Sequence, residues 1–314
     1  MFPAMLLNHE CQTYKVFFKA LRVASFTVDQ IQIRYNKSTM RKHQMKTIIT
    51  KNGMQLYHNF TLLTVVLIAT IALLTVAEPA RAQTGQPIKN IVLVHGAFAD
   101  GSGWEAVANI LKKDGYTVSV VQHPETSYAE DVKFTKAIID RQNGPVVLVG
   151  HSYGGAVITE AGNDPKVAAL VYIAAFAPDA GESAAKIEQD VPPAGKGIKQ
   201  TDDGYFYIDP AVFHADFCAD VPEAKAAFMA ESQVLFSADS FTSPITTPAW
   251  KSKPTYYMVA TADRSINPEQ ERMMAKRANA KTVEVNSSHV AYISHPKETS
   301  KLIEQAATSA PVKQ

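Results

Sequence analysis

Apolar and polar positions alternate between two rhythms along much of the chain. Ile91–Val94 and Val146–Val149 are short, all-apolar runs rich in β-branched residues. A strand buried on both faces of a sheet needs that composition. Thr117–Val121, Leu170–Ala174, Thr255–Ala260 and Thr282–Val285 read as further strands. Between them lie stretches of helical spacing at Glu105–Lys113, Tyr128–Arg141, Gly155–Asn163, Pro268–Ala278 and Lys297–Ala307. In the second of these, Ala129, Val132, Phe134, Ala137, Ile138 and Ile139 follow a helical rather than a two-residue period. Pro268 suits a first helical turn, with Asn267 as its cap. Strand and helix in alternation predict an α/β fold: a doubly wound, mostly parallel sheet with helices on both faces.

The rhythm stops between Pro178 and Lys253. That segment carries Pro192-Pro193-Ala194-Gly195 and then many aromatics, among them Tyr205, Phe206, Phe217, Phe236, Phe241 and Trp250. It reads as an insertion, 179–252. Most of its aromatics are expected to pack the insertion onto the sheet domain rather than to meet a ligand.

A different pattern precedes the alternation. Phe60–Ala77 is continuously apolar apart from its threonines, Lys46 and Lys51 lie before it, and Ala80-Arg81-Ala82 follows. This is the layout of a secretory signal peptide cleaved after Ala82. Export to a periplasm or secretion is therefore expected. The competing reading is a retained membrane anchor at 60–77, because the run approaches the ~20 residues that span a bilayer. After cleavage no stable membrane insertion is expected. Residues 1–59 are too long and mixed for a leader's basic region, so translation is expected to start at Met40, Met45 or Met54. Residues 1–82 are set aside as an N-terminal extension, and 83–314 form the folded domain.

This division changes the charge balance. Residues 1–82 carry 10 Lys+Arg against 3 Asp+Glu, and residues 83–314 carry 21 against 27. The domain is mildly acidic, without a basic stripe, which argues against a nucleic-acid partner. Cys218 is its single cysteine. An internal disulfide is excluded, and no Cys/His cluster has zinc spacing, so neither metal nor cofactor is expected.

Chemistry concentrates at three places, each at the end of a strand. Gly150-His151-Ser152-Tyr153-Gly154-Gly155 follows Val146–Val149. Alone, a G-x-S-x-G can be an ordinary glycine turn. Between a buried strand and a helix, it places a serine on a sharp turn with its hydroxyl exposed at the sheet edge. His95-Gly96-Ala97-Phe98 follows the first strand, and its small-residue loop suits an oxyanion hole built from the amides of Ala97 or Phe98 and of Tyr153. Asp263 follows the strand Thr255–Ala260, and His289 follows Thr282–Val285. The order Ser152, Asp263, His289 differs from the chain orders used by unrelated serine-protease folds. Asp179 is the competing acid. His151 is expected to point away from Ser152, and His95 to brace the oxyanion loop. His123, His214 and His295 read as packing or surface residues, and Ser102, Ser287 and Ser288 as loop residues.

From about residue 88 to residue 306 the chain resembles the α/β-hydrolase superfamily. Within it, the likeness is closest to the plant methyl-ester esterase and hydroxynitrile lyase group with its bacterial relatives. Val92–Trp104, Val147–Gly155, Ala174–Asp179, Ala262–Pro268 and Ser288–Pro296 carry the likeness. It implies a serine nucleophile Ser152, a base His289, an orienting acid Asp263, and a helical cap formed by the insertion. Lyases of the group have threonine where this chain has Gly96, and lysine where it has Val290. The resemblance thus implies hydrolysis of a small carboxylic ester through an acyl-enzyme. Lyase chemistry, amide or C–C hydrolysis, and a non-catalytic binding protein are the alternatives.

Overall fold

The computed structural model describes residues 88–309. The expected leader, its cleavage site, the possible anchor and the alternative starts all lie outside those residues. Among the described residues, no helix is long and apolar enough to cross a membrane.

The chain enters through β1 (Asn90–Val94), then α1 (Glu105–Lys113), β2 (Thr117–Val120), α2 (Tyr128–Asp140), β3 (Val146–Ser152), α3 (Tyr153–Ala161) and β4 (Val167–Ala175). The insertion follows as α4 (Ala184–Asp190), β5 (Ile198–Gln200), β6 (Tyr205–Ile208), α5 (Pro210–Phe217), α6 (Glu223–Glu231), β7 (Phe236–Ser237) and α7 (Ala238–Thr242). The alternation then resumes with β8 (Thr255–Ala260), α8 (Pro268–Arg277), β9 (Lys281–Val285), α9 (Ala291–Ser294) and α10 (Pro296–Ser309).

Six strands form one sheet in the order β2-β1-β3-β4-β8-β9, with every pairing parallel. Successive strand residues feed two different cores. Val92, Val94, Leu148, Leu170 and Tyr257 face one side with Val132 and Ile139 of α2, Val157 of α3 and Met274 of α8. Ile91, Leu93, Val147, Val149 and Met258 face the other with Val107 and Leu111 of α1 and Leu302 and Ile303 of α10. A sheet with apolar side chains on both faces needs helices on both, which is why the central strands lack polar alternation.

The helix ends are read locally. Ser127 accepts the Glu130 amide at the start of α2. At α8, Asn267 accepts the Glu269 amide ahead of Pro268, as its sequence predicts. Acidic residues in the first turn of α8 and Lys276 and Arg277 in its last suit the helix dipole.

The insertion is more than a helical cap. It also contains a three-stranded antiparallel sheet, β5-β6-β7. Strands of three, four and two residues are too short to impose a period on the sequence.

Candidate active site

In a parallel sheet the carboxyl ends of all strands open on one edge, where ligands bind in α/β folds. Here Ser152 ends β3, while Asp263 and His289 sit in the loops that follow β8 and β9.

Ser152 has φ 53° and ψ −125°, a left-handed conformation that non-glycine residues rarely adopt. Glycines with close backbone contacts flank it. A Cβ on Gly150 would lie 2.5 Å from the Gly154 carbonyl oxygen, one on Gly154 2.3 Å from that of His95, and one on Gly155 2.3 Å from that of Phe176. The strand, the turn and α3 are thus packed backbone to backbone. The β3–β4 register slips at this point, and the Phe176 amide bonds to the Ser152 carbonyl at 3.1 Å.

His289 and Asp263 meet directly, with Nδ1 to Oδ2 at 2.6 Å and both side chains buried. The other carboxylate oxygen accepts the amides of Ser265 at 2.6 Å and Ile266 at 2.9 Å. Those bonds fix the carboxylate, which in turn orients the ring. With Nδ1 donating to Asp263, Nε2 is free to accept a proton. Ser152 and His289 line one cavity of about 630 Å³, counting the space open to solvent at its mouth. Among the described residues, no hydrogen bond joins the two side chains.

Asp179 is elsewhere, in an ion pair with Lys251 at the surface. That pairing outweighs the opposing effect of its slight burial and lowers its carboxyl below the usual range. His151 points away from Ser152, with Nε2 3.0 Å from the His289 carbonyl. Burial first, and His289 second, hold its pKa well below normal. It is therefore neutral and donates to that carbonyl, fixing the backbone of His289.

The expectation for the oxyanion loop needs correction at Phe98. Its amide is already engaged, donating to Glu125 Oε2 at 3.3 Å. Ala97 and Tyr153 also line the cavity and remain as candidate amide donors. Beneath them lies a buried polar cluster that the sequence did not reveal. Tyr153 Oη donates to Asp131 at 2.7 Å, Asp131 accepts the Glu125 amide at 2.8 Å, and His123 Nε2 bonds the His95 carbonyl at 2.9 Å. His123 is thus part of a network rather than a lone packing residue. Burial raises the Asp131 carboxyl, but bonds from His123, Tyr153 and the Glu125 amide outweigh it and the net shift is downward. Burial, chiefly, raises Glu125 well above its ordinary range and lowers His95 to about 3.

His95, His123 and Glu125 offer ligand atoms within 4.8 Å of one another, a spacing a metal could use. The two imidazoles are stacked, however, with centroids 3.7 Å apart and planes 13° apart. Their in-plane lone pairs run parallel and do not converge on one ion. His95 Nδ1 also bonds the Gly96 carbonyl at 3.0 Å. The cluster fits a hydrogen-bonded prop under the oxyanion loop better than a metal site.

Ser287 and Ser288, expected as plain loop residues, are buried and anchor the loop that carries His289. Ser287 Oγ and the Ser288 amide reach Asp220 Oδ2 at 2.9 and 3.0 Å, and Ser288 Oγ bonds Oδ1. Behind Asp263, Glu271 is fully buried. Its Oε2 accepts the Ala260 amide at 3.1 Å. Its Oε1 has no amide or hydroxyl partner, and burial, with the Asp263 charge added, raises this carboxyl well above normal. That shift favours the protonated form, which can share its proton with Asp263. Nothing in the sequence separates Glu271 from an ordinary first-turn helix acid.

A parallel sheet with a strained serine, and an acid–histidine pair beyond its neighbouring strands, defines the α/β-hydrolase architecture. The chain belongs to the alpha/beta hydrolase family, whose model matches residues 91–302. It is 37% identical over 108 residues to a carbendazim hydrolyzing esterase from Nocardioides sp. (strain SG-4G), covering 30% of this chain and 45% of that one. The matched region is thus less than half of that relative's length. A crystal structure of a pyrethroid hydrolase from Sphingobium faniae JZ-2 superposes with a TM-score of 0.59 at 23% identity, covering 71% of this chain and 98% of that one. An extracellular α/β-hydrolase from a Paenibacillus species, described as sharing homology with tobacco salicylic acid binding protein 2, gives 0.58 at 21% identity, covering 70% and 99%. At 21–23% identity these two structures match the α/β-hydrolase fold.

Proposed function

We propose that this protein hydrolyses small carboxylic esters through an acyl-enzyme on Ser152. The observation that carries the reading is the 2.6 Å contact of His289 Nδ1 with Asp263 in the cavity that Ser152 also lines. His289 Nε2 takes the Ser152 proton as Oγ adds to the ester carbonyl. Asp263 stabilises the imidazolium and fixes its tautomer. The oxyanion faces the amides of Ala97 and Tyr153, each worth about 3–4 kcal/mol in comparable sites. Collapse expels the alcohol, which leaves with the proton from His289. Water activated by the same imidazole then adds to the acyl-enzyme and releases the acid and free Ser152.

Two features weigh against lyase chemistry. A Cβ at Gly96 would lie 2.6 Å from Ser152 Cβ and 2.9 Å from His151 Nδ1, so a threonine cannot fit there. Val290, beside His289, is apolar and buried, so no cation stands at that position. The relatives named for hydrolysing carbendazim and pyrethroids make carbamate and apolar carboxylic esters reasonable first substrates.

Ser152→Ala is expected to lower kcat on a short p-nitrophenyl ester by about a thousandfold or more. A serine-reactive phosphonate should add its mass to wild type at Ser152 and not to the variant. Near-full activity in Ser152→Ala would overturn the proposal. We also propose that the N-terminal extension 1–82 ends in an export signal, with its hydrophobic run at 60–77 and translation starting at Met40, Met45 or Met54, and that 83–314 form the mature protein. Mass spectrometry of protein secreted or released from the periplasm should find an N-terminus at Gln83. Retention of residues 60–77 in a membrane fraction would favour the anchor.

A further inference from the structure

The cavity over Ser152 is mostly apolar, with Phe98, Phe176, Phe206, Phe236 and Ile266 in its wall. Besides His289, three acidic or basic residues line it: Glu188, Asp216 and Arg264. Asp216 and Arg264 satisfy each other, with Nε to Oδ1 at 3.0 Å, and Asp216 Oδ2 also accepts the Lys196 amide at 3.1 Å. Glu188 differs. Among the described residues it has no hydrogen-bond or ion-pair partner. It sits in α4, one residue after Ile187, which is buried in the core beneath the insertion. The packing of α4 therefore fixes the cavity position of Glu188.

A partnerless carboxyl in a mostly apolar cavity wall gains nothing there from the protein, and a leucine would suit that wall better. A half-buried helix acid that merely meets solvent is the ordinary alternative. The shared lining with Ser152 and His289 argues against it. Burial, with the Asp263 charge second, pushes this carboxyl up to about 8. At neutral pH it is a neutral acid that can both give and accept a hydrogen bond.

We propose that Glu188 is a specificity-determining residue that hydrogen-bonds a neutral hydroxyl or N–H group on an otherwise apolar ester substrate. The inference rests on the hydrolase reading above. A cavity with one unpaired polar group discriminates against analogues that leave it unpaired. One such bond, at about 1.4 kcal/mol, corresponds to a factor of ten in kcat/KM.

The test uses esters paired with and without one hydroxyl. On the acyl side, p-nitrophenyl hexanoate is compared with its hydroxyhexanoate series. On the alcohol side, 2-phenylethyl acetate is compared with 2-(4-hydroxyphenyl)ethyl acetate. Wild type should prefer at least one hydroxylated ester about tenfold over its plain partner, mainly through a lower KM. Glu188→Met, close in volume, and Glu188→Leu should abolish that preference. Glu188→Gln keeps a donor and an acceptor and should retain most of it. A wild type without a preference above twofold, or a preference that survives in Glu188→Met or Glu188→Leu, overturns the proposal. Ser152→Ala separates the two readings. If it is inactive on every ester while the Glu188 variants keep the wild-type ratios, only the role of Glu188 fails. If it stays active, the hydrolase reading fails.

Discussion

Ser152 holds a backbone conformation that costs about 1–3 kcal/mol. The sequence betrays it, because glycines crowd around it and a buried strand precedes it. Asp263 and His289 were legible for a similar reason: each follows a strand in a recognisable order. The residues supporting these three were not. Glu271 looks like a first-turn acid suited to the dipole of α8, and only its burial against Asp263 shows otherwise. An unfolded glutamate ionises near 4.5, whereas folded Glu271 keeps its proton well above that value. Between those two pKa values the unfolded chain has released a proton that the folded chain retains. Stability therefore falls as pH rises through that window. Glu271→Gln removes the titration while keeping a neutral donor. Its melting temperature relative to wild type should rise from pH 5 to pH 8, and an equal difference at both values would disprove protonation. Tyr153→Phe tests the other hidden support. It removes one charge-assisted bond to buried Asp131, which keeps the Glu125 amide and Ser240 Oγ, and should lower the unfolding free energy by about 1.5–3 kcal/mol in urea titration.

Among the elements, the predicted strands and helices of the sheet domain fall within a few residues of the observed ones. The reason is that both faces of β1, β3, β4 and β8 are buried, which leaves unbroken apolar runs. The insertion offers no such signal. All three residues of β5 are exposed, and β7 has two residues. These strands exist because of the partners they find, not because of their own pattern. At the elbow, by contrast, glycine is required by contact. A methyl group on Gly154 would meet the His95 carbonyl oxygen at 2.3 Å, between two backbones that cannot move independently. Gly154→Ala should cost at least about 2 kcal/mol, or roughly 4–8 °C in melting temperature for a domain of this size. Calorimetry would register it, and a shift below about 1 °C would mean the turn can relax.

Across the whole molecule, the insertion is fastened on both sides of the cavity. On the oxyanion side, the Ser237 amide bonds the Glu125 carbonyl at 2.9 Å, and Ser240 Oγ bonds Asp131 at 3.0 Å. Phe236 packs on Tyr153 and Phe98 at centroid distances of 4.6 and 5.7 Å. On the histidine side, Asp220 gathers Ser287 and Ser288. Burial raises the Asp220 carboxyl, but those bonds outweigh it and the net shift is downward, so it is an anion at neutral pH. The loops that carry the chemistry therefore take part of their order from the insertion above them. Asp220→Ala should loosen the loop bearing His289 and lower kcat about tenfold with a smaller change in KM. Ser240→Ala leaves Asp131 its bonds to Tyr153 and the Glu125 amide, so its effect should be smaller. The two fasteners share no hydrogen-bond partner, so in the double variant their effects on kcat/KM and on urea stability should add within about 0.5 kcal/mol. A coupling energy well above that would mean the insertion moves as one rigid lid, with each fastener sensing the other through it.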